Sequence, residues 1–108
     1  MGLRNLPTEA PMRLSDLTAY HPGHVSSRTL TTLEAGASIT VLAFDDGESV
    51  SEEEYFGDML YYAIEGSCDI VLPNRRVALA AGEVLMVPAH VLHAVEGRSA
   101  FKLLQVCV

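Results

Sequence analysis

From residue 25 onward the chain is divided into short apolar runs by residues that favour turns, and this division restricts the fold more than any other feature. The runs are VSSRTL (25–30), ASITVLAF (37–44), MLYYAI (59–64), CDIVL (68–72), VAL (77–79), EVLMVP (83–88), HAV (93–95) and AFKLLQVCV (100–108). Each has the length of a β-strand, and none carries the 3.6-residue apolar period of a long helix. Between them stand Glu34-Ala35-Gly36, Asp45-Asp46-Gly47-Glu48, Glu65-Gly66, Pro73-Asn74, Ala81-Gly82-Glu83 and Glu96-Gly97, which supply positive φ or preset turns. About eight strands at spacings of roughly eight to twelve residues predict an all-β sandwich or barrel. In LMV and YYAI the apolar residues are continuous instead of alternating, which predicts strands covered on both faces, with a second copy of the chain in a homodimer as the cover.

No internal repeat or low-complexity linker divides the 108 residues, so residues 25–108 are read as one barrel domain. Residues 1–24, with Pro7, Pro11 and the one short periodic piece MRLSDLTAY, are read as an N-terminal arm laid on it. A chain of this length buries roughly two thirds of its unfolded surface on folding and builds a core unaided. Fourteen Asp and Glu against seven Lys and Arg give a formal charge of −7, which opposes nucleic acid and anionic lipid surfaces. No apolar run approaches the ~20 residues that cross a bilayer, and Arg4, Glu9 and Arg13 stand where a signal peptide would be apolar. The expectation is a cytoplasmic protein without nucleic-acid or membrane partners. Cys68 and Cys107 lack the spacing of a metal site and read as buried free thiols. GxSxG, P-loop, GxGxxG and HExxH patterns are absent, which removes serine hydrolase, nucleotide-binding and zinc-protease readings.

Two segments carry a resemblance. After Gly47 come five residues and Glu53, one residue and Tyr55, three and Met59, six and Gly66. A second series places Gly82, Pro88, His90, His93 and Gly97 in order. These spacings resemble the two motifs of the cupins, in which the first reads Gly, two His, Glu, Gly and the second Gly, Pro, Gly, His, Asn. The likeness extends over roughly residues 16–108 through FDDGESVSE, GDMLYYAIEG, LAAGEVLMVPAHVLHAV and FKLLQV, and the chain resembles the small single-domain bacterial cupins of the RmlC-like, conserved-barrel type. The resemblance implies a cupin double-stranded β-helix, a jelly-roll barrel closing around a pocket.

In metal-binding cupins the matching positions hold a divalent ion. Here Glu53, Tyr55 and Met59 stand at the first three and His93 at the fourth, with His90 replacing a Gly and Gly97 an Asn. The resemblance therefore implies one Fe, Mn, Ni or Zn ion on Glu53 and His93, or a metal-free pair in which Glu53 orients His93 for acid/base isomerisation. If Glu53 points into the barrel, period-two alternation turns Tyr55 inward too, and Met59, Tyr61 and Ala63 share one face of the next strand. Tyr55, Met59, Tyr61 and His90 are thus the expected pocket residues. Seven of the fourteen acids lie within residues 45–58; they read as a solvated loop or as an acidic lip that selects a polar or cationic small molecule. In an extended segment the middle carboxylate of Glu52-Glu53-Glu54 faces away from its neighbours. Two functions are carried forward, a cupin that binds a small polar molecule and a metal-assisted oxygenase or isomerase.

Overall fold

The structure is a computed structural model that describes residues 2–108. They form nine strands: β1 (Val25–Thr29), β2 (Ser38–Phe44), β3 (Ser49–Glu53), β4 (Met59–Glu65), β5 (Ser67–Leu72), β6 (Arg75–Ala80), β7 (Val84–Val87), β8 (His93–Gly97) and β9 (Phe101–Cys107). Two antiparallel sheets face each other, one in the order β1-β2-β9-β4-β7 and the other β3-β8-β5-β6. This is the jelly roll that the punctuated apolar runs predict. All eight runs become strands, and β3 is a ninth. Its sequence, SVSEE, has one apolar residue and lies at a sheet edge, where neither face demands continuous burial.

Alternation along each strand builds the core. Leu42 and Phe44 of β2, Met59, Tyr61 and Ala63 of β4, and Phe101 and Leu103 of β9 project from one sheet toward Val50, Cys68, Ile70, Leu79 and Val95 of the other. Phe44 and Phe101 stack with ring centroids 4.2 Å apart. Gly97 lies against this pair: a Cβ on it would sit 2.5 Å from Cδ1 of Phe101. Only a residue without a side chain lets that ring stay where it is, which accounts for Gly at the position where the second cupin motif has Asn.

On the opposite face of the first sheet the arm supplies cover. A 3-10 turn, Leu14–Leu17, and Leu30 bury Val41 in a second apolar cluster flanked by Ile39, Ile64 and Leu104. Lys102, itself buried, donates to the Ser15 carbonyl and lies 5.0 Å above the Tyr20 ring, while Tyr20 donates to Glu65 at 2.7 Å. Burial and then this carboxylate push the Tyr20 phenol well above its ordinary pKa. The continuous run YYAI is thus covered outside by the chain's own arm at Ile64. At the other end of the same face Leu60, Val84 and Met86 remain exposed. Among the described residues no helix is long and apolar enough to cross a membrane.

Candidate functional site

A β-bulge decides which acid stands opposite His93. β3 pairs with β8 as Ser49↔Glu96 and Val50↔Val95, and then shifts by one so that Glu53 opposes His93. Without that extra residue Glu52 would take the place beside His93, because a one-residue slip exchanges the two faces of a strand. Directly opposed residues send their side chains to the same face. The Glu53 carboxylate therefore leaves on the side of His93, at the exposed end of the strand.

His93 is held on both nitrogens. Its Nδ1–H donates to the Val91 carbonyl at 2.8 Å, and Nε2 lies 2.7 Å from the Tyr61 hydroxyl. A carbonyl can only accept, so in the neutral imidazole the proton sits on Nδ1 and Nε2 accepts from Tyr61. Two phenols flank the ring, with centroids 5.5 Å away for Tyr55 and 5.6 Å for Tyr61. His93 is 2% exposed, and Tyr61 and Met59 1% each, so almost none of their surface meets water. Met59 acts as core, packed behind Tyr61.

The electrostatics follow from burial and from Glu53. Burial, then the Glu53 carboxylate that accepts its hydrogen bond, pushes the Tyr55 phenol up to about 12. Burial likewise raises Tyr61, with Tyr55 and Glu53 adding to it. Both tyrosines are therefore neutral hydrogen-bond donors. Cys107, on β9 opposite Met59, contributes to both shifts, so its thiol belongs to the same cluster. The 101, 103, 105, 107 alternation of β9 carried that signal, but the sequence reading treated Cys107 only as a core thiol. Both cysteines are free, Cys68 buried and Cys107 half-buried.

His90 is not brought to His93. It stands where the motif has Gly, and it adopts the left-handed conformation that a Gly would, with φ 67°. Its N–H donates to the Tyr55 carbonyl, and its exposed ring turns to Glu54, 3.1 Å away, and edge-on to Phe56. This places it on the rim instead of in the pocket, beside an acidic partner.

The donor set does not fit the divalent ion that the cupin motifs imply. Of the four positions, Met59 is packed in the core, Tyr55 is a phenol held protonated, and the Nε2 lone pair of His93 is committed to Tyr61. Among the described residues no three His, Cys, Asp or Glu side chains converge as ligands, whereas a transition-metal site needs three or four.

No known family's sequence profile matches the chain, and no curated protein matches it. Solved structures do. A cupin 2 conserved barrel domain protein from Leptotrichia buccalis superposes with a TM-score of 0.84 at 26% identity, covering 90% of this chain and 47% of that one. A conserved protein of unknown function from Streptococcus pyogenes superposes at 0.93 with 24% identity, over 100% of this chain and 94% of its own. A cupin superfamily protein from Desulfitobacterium hafniense has a TM-score of 0.93 at 42% identity over 98% of this chain and 96% of that one. With that identity along nearly the whole length of both proteins, and with both motif registers folded into a two-sheet barrel, the chain belongs to the cupin superfamily.

Proposed function

We propose that this cupin binds a small polar or cationic molecule at the barrel mouth and does so without a resident metal. The observation that carries the reading is the Tyr61–His93 hydrogen bond: it closes the floor where relatives with a full ligand set hold an ion, and leaves Glu53 and Tyr55 above it as the polar groups that meet a ligand. Exposed Glu52, Glu54 and Asp58 give the lip the charge that draws a cation. The isomerase reading gains less support. A general acid or base must come within hydrogen-bond reach of its substrate, and both nitrogens of His93 already have partners within the protein.

The test is thermal unfolding against a panel of primary amines, guanidines and quaternary ammonium compounds, with and without EDTA. A ligand at a hundredfold excess over its Kd stabilises by about 2.7 kcal/mol, which raises Tm by roughly 10 °C or more in a domain of this size. Glu53→Gln removes the shift while leaving the unliganded Tm near the wild-type value, because Glu53 is exposed, and EDTA changes neither. A panel without a shift, or a shift that EDTA abolishes, overturns the reading.

The same proposal includes a homodimer through the outer face of β4 and β7. Leu60 pairs with Met86 and Tyr62 with Val84 on that face, and the exposed Leu60, Val84 and Met86 form an apolar strip that the arm does not cover. Sedimentation of the wild type gives a dimer and Met86→Asp a folded monomer. A wild-type chain that sediments as a monomer at micromolar concentration sinks the dimer.

A further inference from the structure

A groove of about 530 Å³ opens beside the β1 and β2 end of the barrel, and no part of its wall comes from Glu53, Tyr55, Tyr61 or His93. Its size is that of a small-molecule site. Cys107 and Gly57 form part of the floor. A Cβ on Gly57 would lie 2.5 Å from the Val108 carbonyl oxygen and 2.9 Å from the Cys107 sulfur, so the glycine keeps that floor low. Leu33 and Phe56 also line the groove, 101% and 93% exposed, two large apolar side chains standing in water. Covering apolar surface of this kind is a driving force for any ligand with an apolar body.

One charged side chain lines the groove, Arg4. The arm is fixed there: the Arg4 N–H donates to the Leu30 carbonyl, and Nε donates to the Thr31 carbonyl at 2.9 Å. That bond orients the guanidinium while leaving its terminal nitrogens available, and among the described residues no carboxylate pairs with Arg4. Glu34, next to the groove-lining Leu33, is bonded to Thr32 and to its own backbone N–H. A cation held in place over a wall whose other side chains are uncharged and partly apolar matches a ligand of the opposite design. We propose that this groove binds an amphipathic organic anion, an apolar ring or short hydrocarbon body carrying one carboxylate or sulfonate, with the oxyanion on Arg4 and the body against Leu33 and Phe56. The inference does not rest on cation binding at the barrel mouth.

The experiment uses 8-anilinonaphthalene-1-sulfonate as the anionic probe and N-phenyl-1-naphthylamine as its neutral counterpart. Two readouts are taken: probe fluorescence, and the rate at which iodoacetamide alkylates Cys107, with buried Cys68 as an unreactive reference. The anionic probe saturates at one per chain and slows Cys107 alkylation at least fivefold. Arg4→Gln weakens the anionic probe about fivefold, the upper range for an exposed ion pair, and leaves the neutral probe unchanged. Arg4→Gln leaves the amine-induced Tm shift at the barrel mouth unchanged, so this result and that at the mouth stand or fall separately. Unsaturable fluorescence, alkylation indifferent to the probe, or equal losses for both probes in Arg4→Gln overturns the proposal. Protection of Cys107 that rises with protein concentration and not with probe also overturns it, by making the groove a contact with a second copy.

Discussion

Gly97→Asn, which restores the residue that the second cupin motif carries, destabilises this protein by about 2–6 kcal/mol and lowers Tm by roughly 10 °C or more. Every side chain begins with a Cβ, and at position 97 that atom would overlap the Phe101 ring, 2.5 Å from its Cδ1. The ring cannot simply turn aside, because Phe101 is fully buried and stacked on Phe44. Inserting atoms into such packing costs about 1–3 kcal/mol, and an amide trapped without partners adds about 1–3 kcal/mol. Gly97→Ala isolates the first cost and falls between wild type and Gly97→Asn. Phe101→Leu opens space, so the second substitution is less damaging on that background than on the wild type, the non-additivity expected of residues in contact. A melting curve for Gly97→Asn within two or three degrees of wild type would refute the packing account.

This case marks what a sequence does and does not disclose. The turns at Gly47, Gly66 and Gly82, all with positive φ, and the apolar runs between them are local properties, and they were enough for an all-β barrel. The two motif registers added the family. What they left out depends on contacts between distant positions. Gly97 looks like a degraded motif until Phe101 is placed over it. β3 looks like an acidic loop because an edge strand has few neighbours to satisfy. Lys102 is buried beneath the arm, bonded to a carbonyl 87 positions away, a contact that no local pattern carries.

The candidate site divides in the same way. Alternation singled out Glu53 among the three successive glutamates, and the bulge after Val50 is what makes it oppose His93. Tyr61 was not legible as the partner of His93, because the bond joins β4 to β8 across the barrel. The motif assigned His93 to a ligand set, and the fold has given its lone pair to a phenol instead. His90 keeps the backbone conformation of the motif's Gly, φ 67°, because a motif position specifies a backbone conformation more firmly than a side-chain direction.

Tyr61→Phe tests whether the buried pair is the lock that this geometry implies. The substitution keeps the ring that fills the core and deletes only the hydroxyl, so no appreciable cavity forms. What remains is His93 Nε2, buried and without a donor, and a stranded acceptor of that kind costs about 1–3 kcal/mol. Urea unfolding gives the size directly, as a lower midpoint at unchanged m. Replacing both partners, in Tyr61→Phe with His93→Leu, removes donor and acceptor together. The double variant then loses less stability than the sum of the two singles, by about 1–2 kcal/mol of coupling. Strict additivity, or a Tyr61→Phe loss below about 0.5 kcal/mol, means that the 2.7 Å contact does not hold the floor. Ligand binding supplies the other half of the inference. Glu53 and Tyr55 sit above the pair and are untouched by the change, so Tyr61→Phe retains whatever amine or guanidine the wild type binds while being less stable. Loss of binding together with stability would instead make the Tyr61 hydroxyl part of the mouth, with His93 acting on the ligand through it.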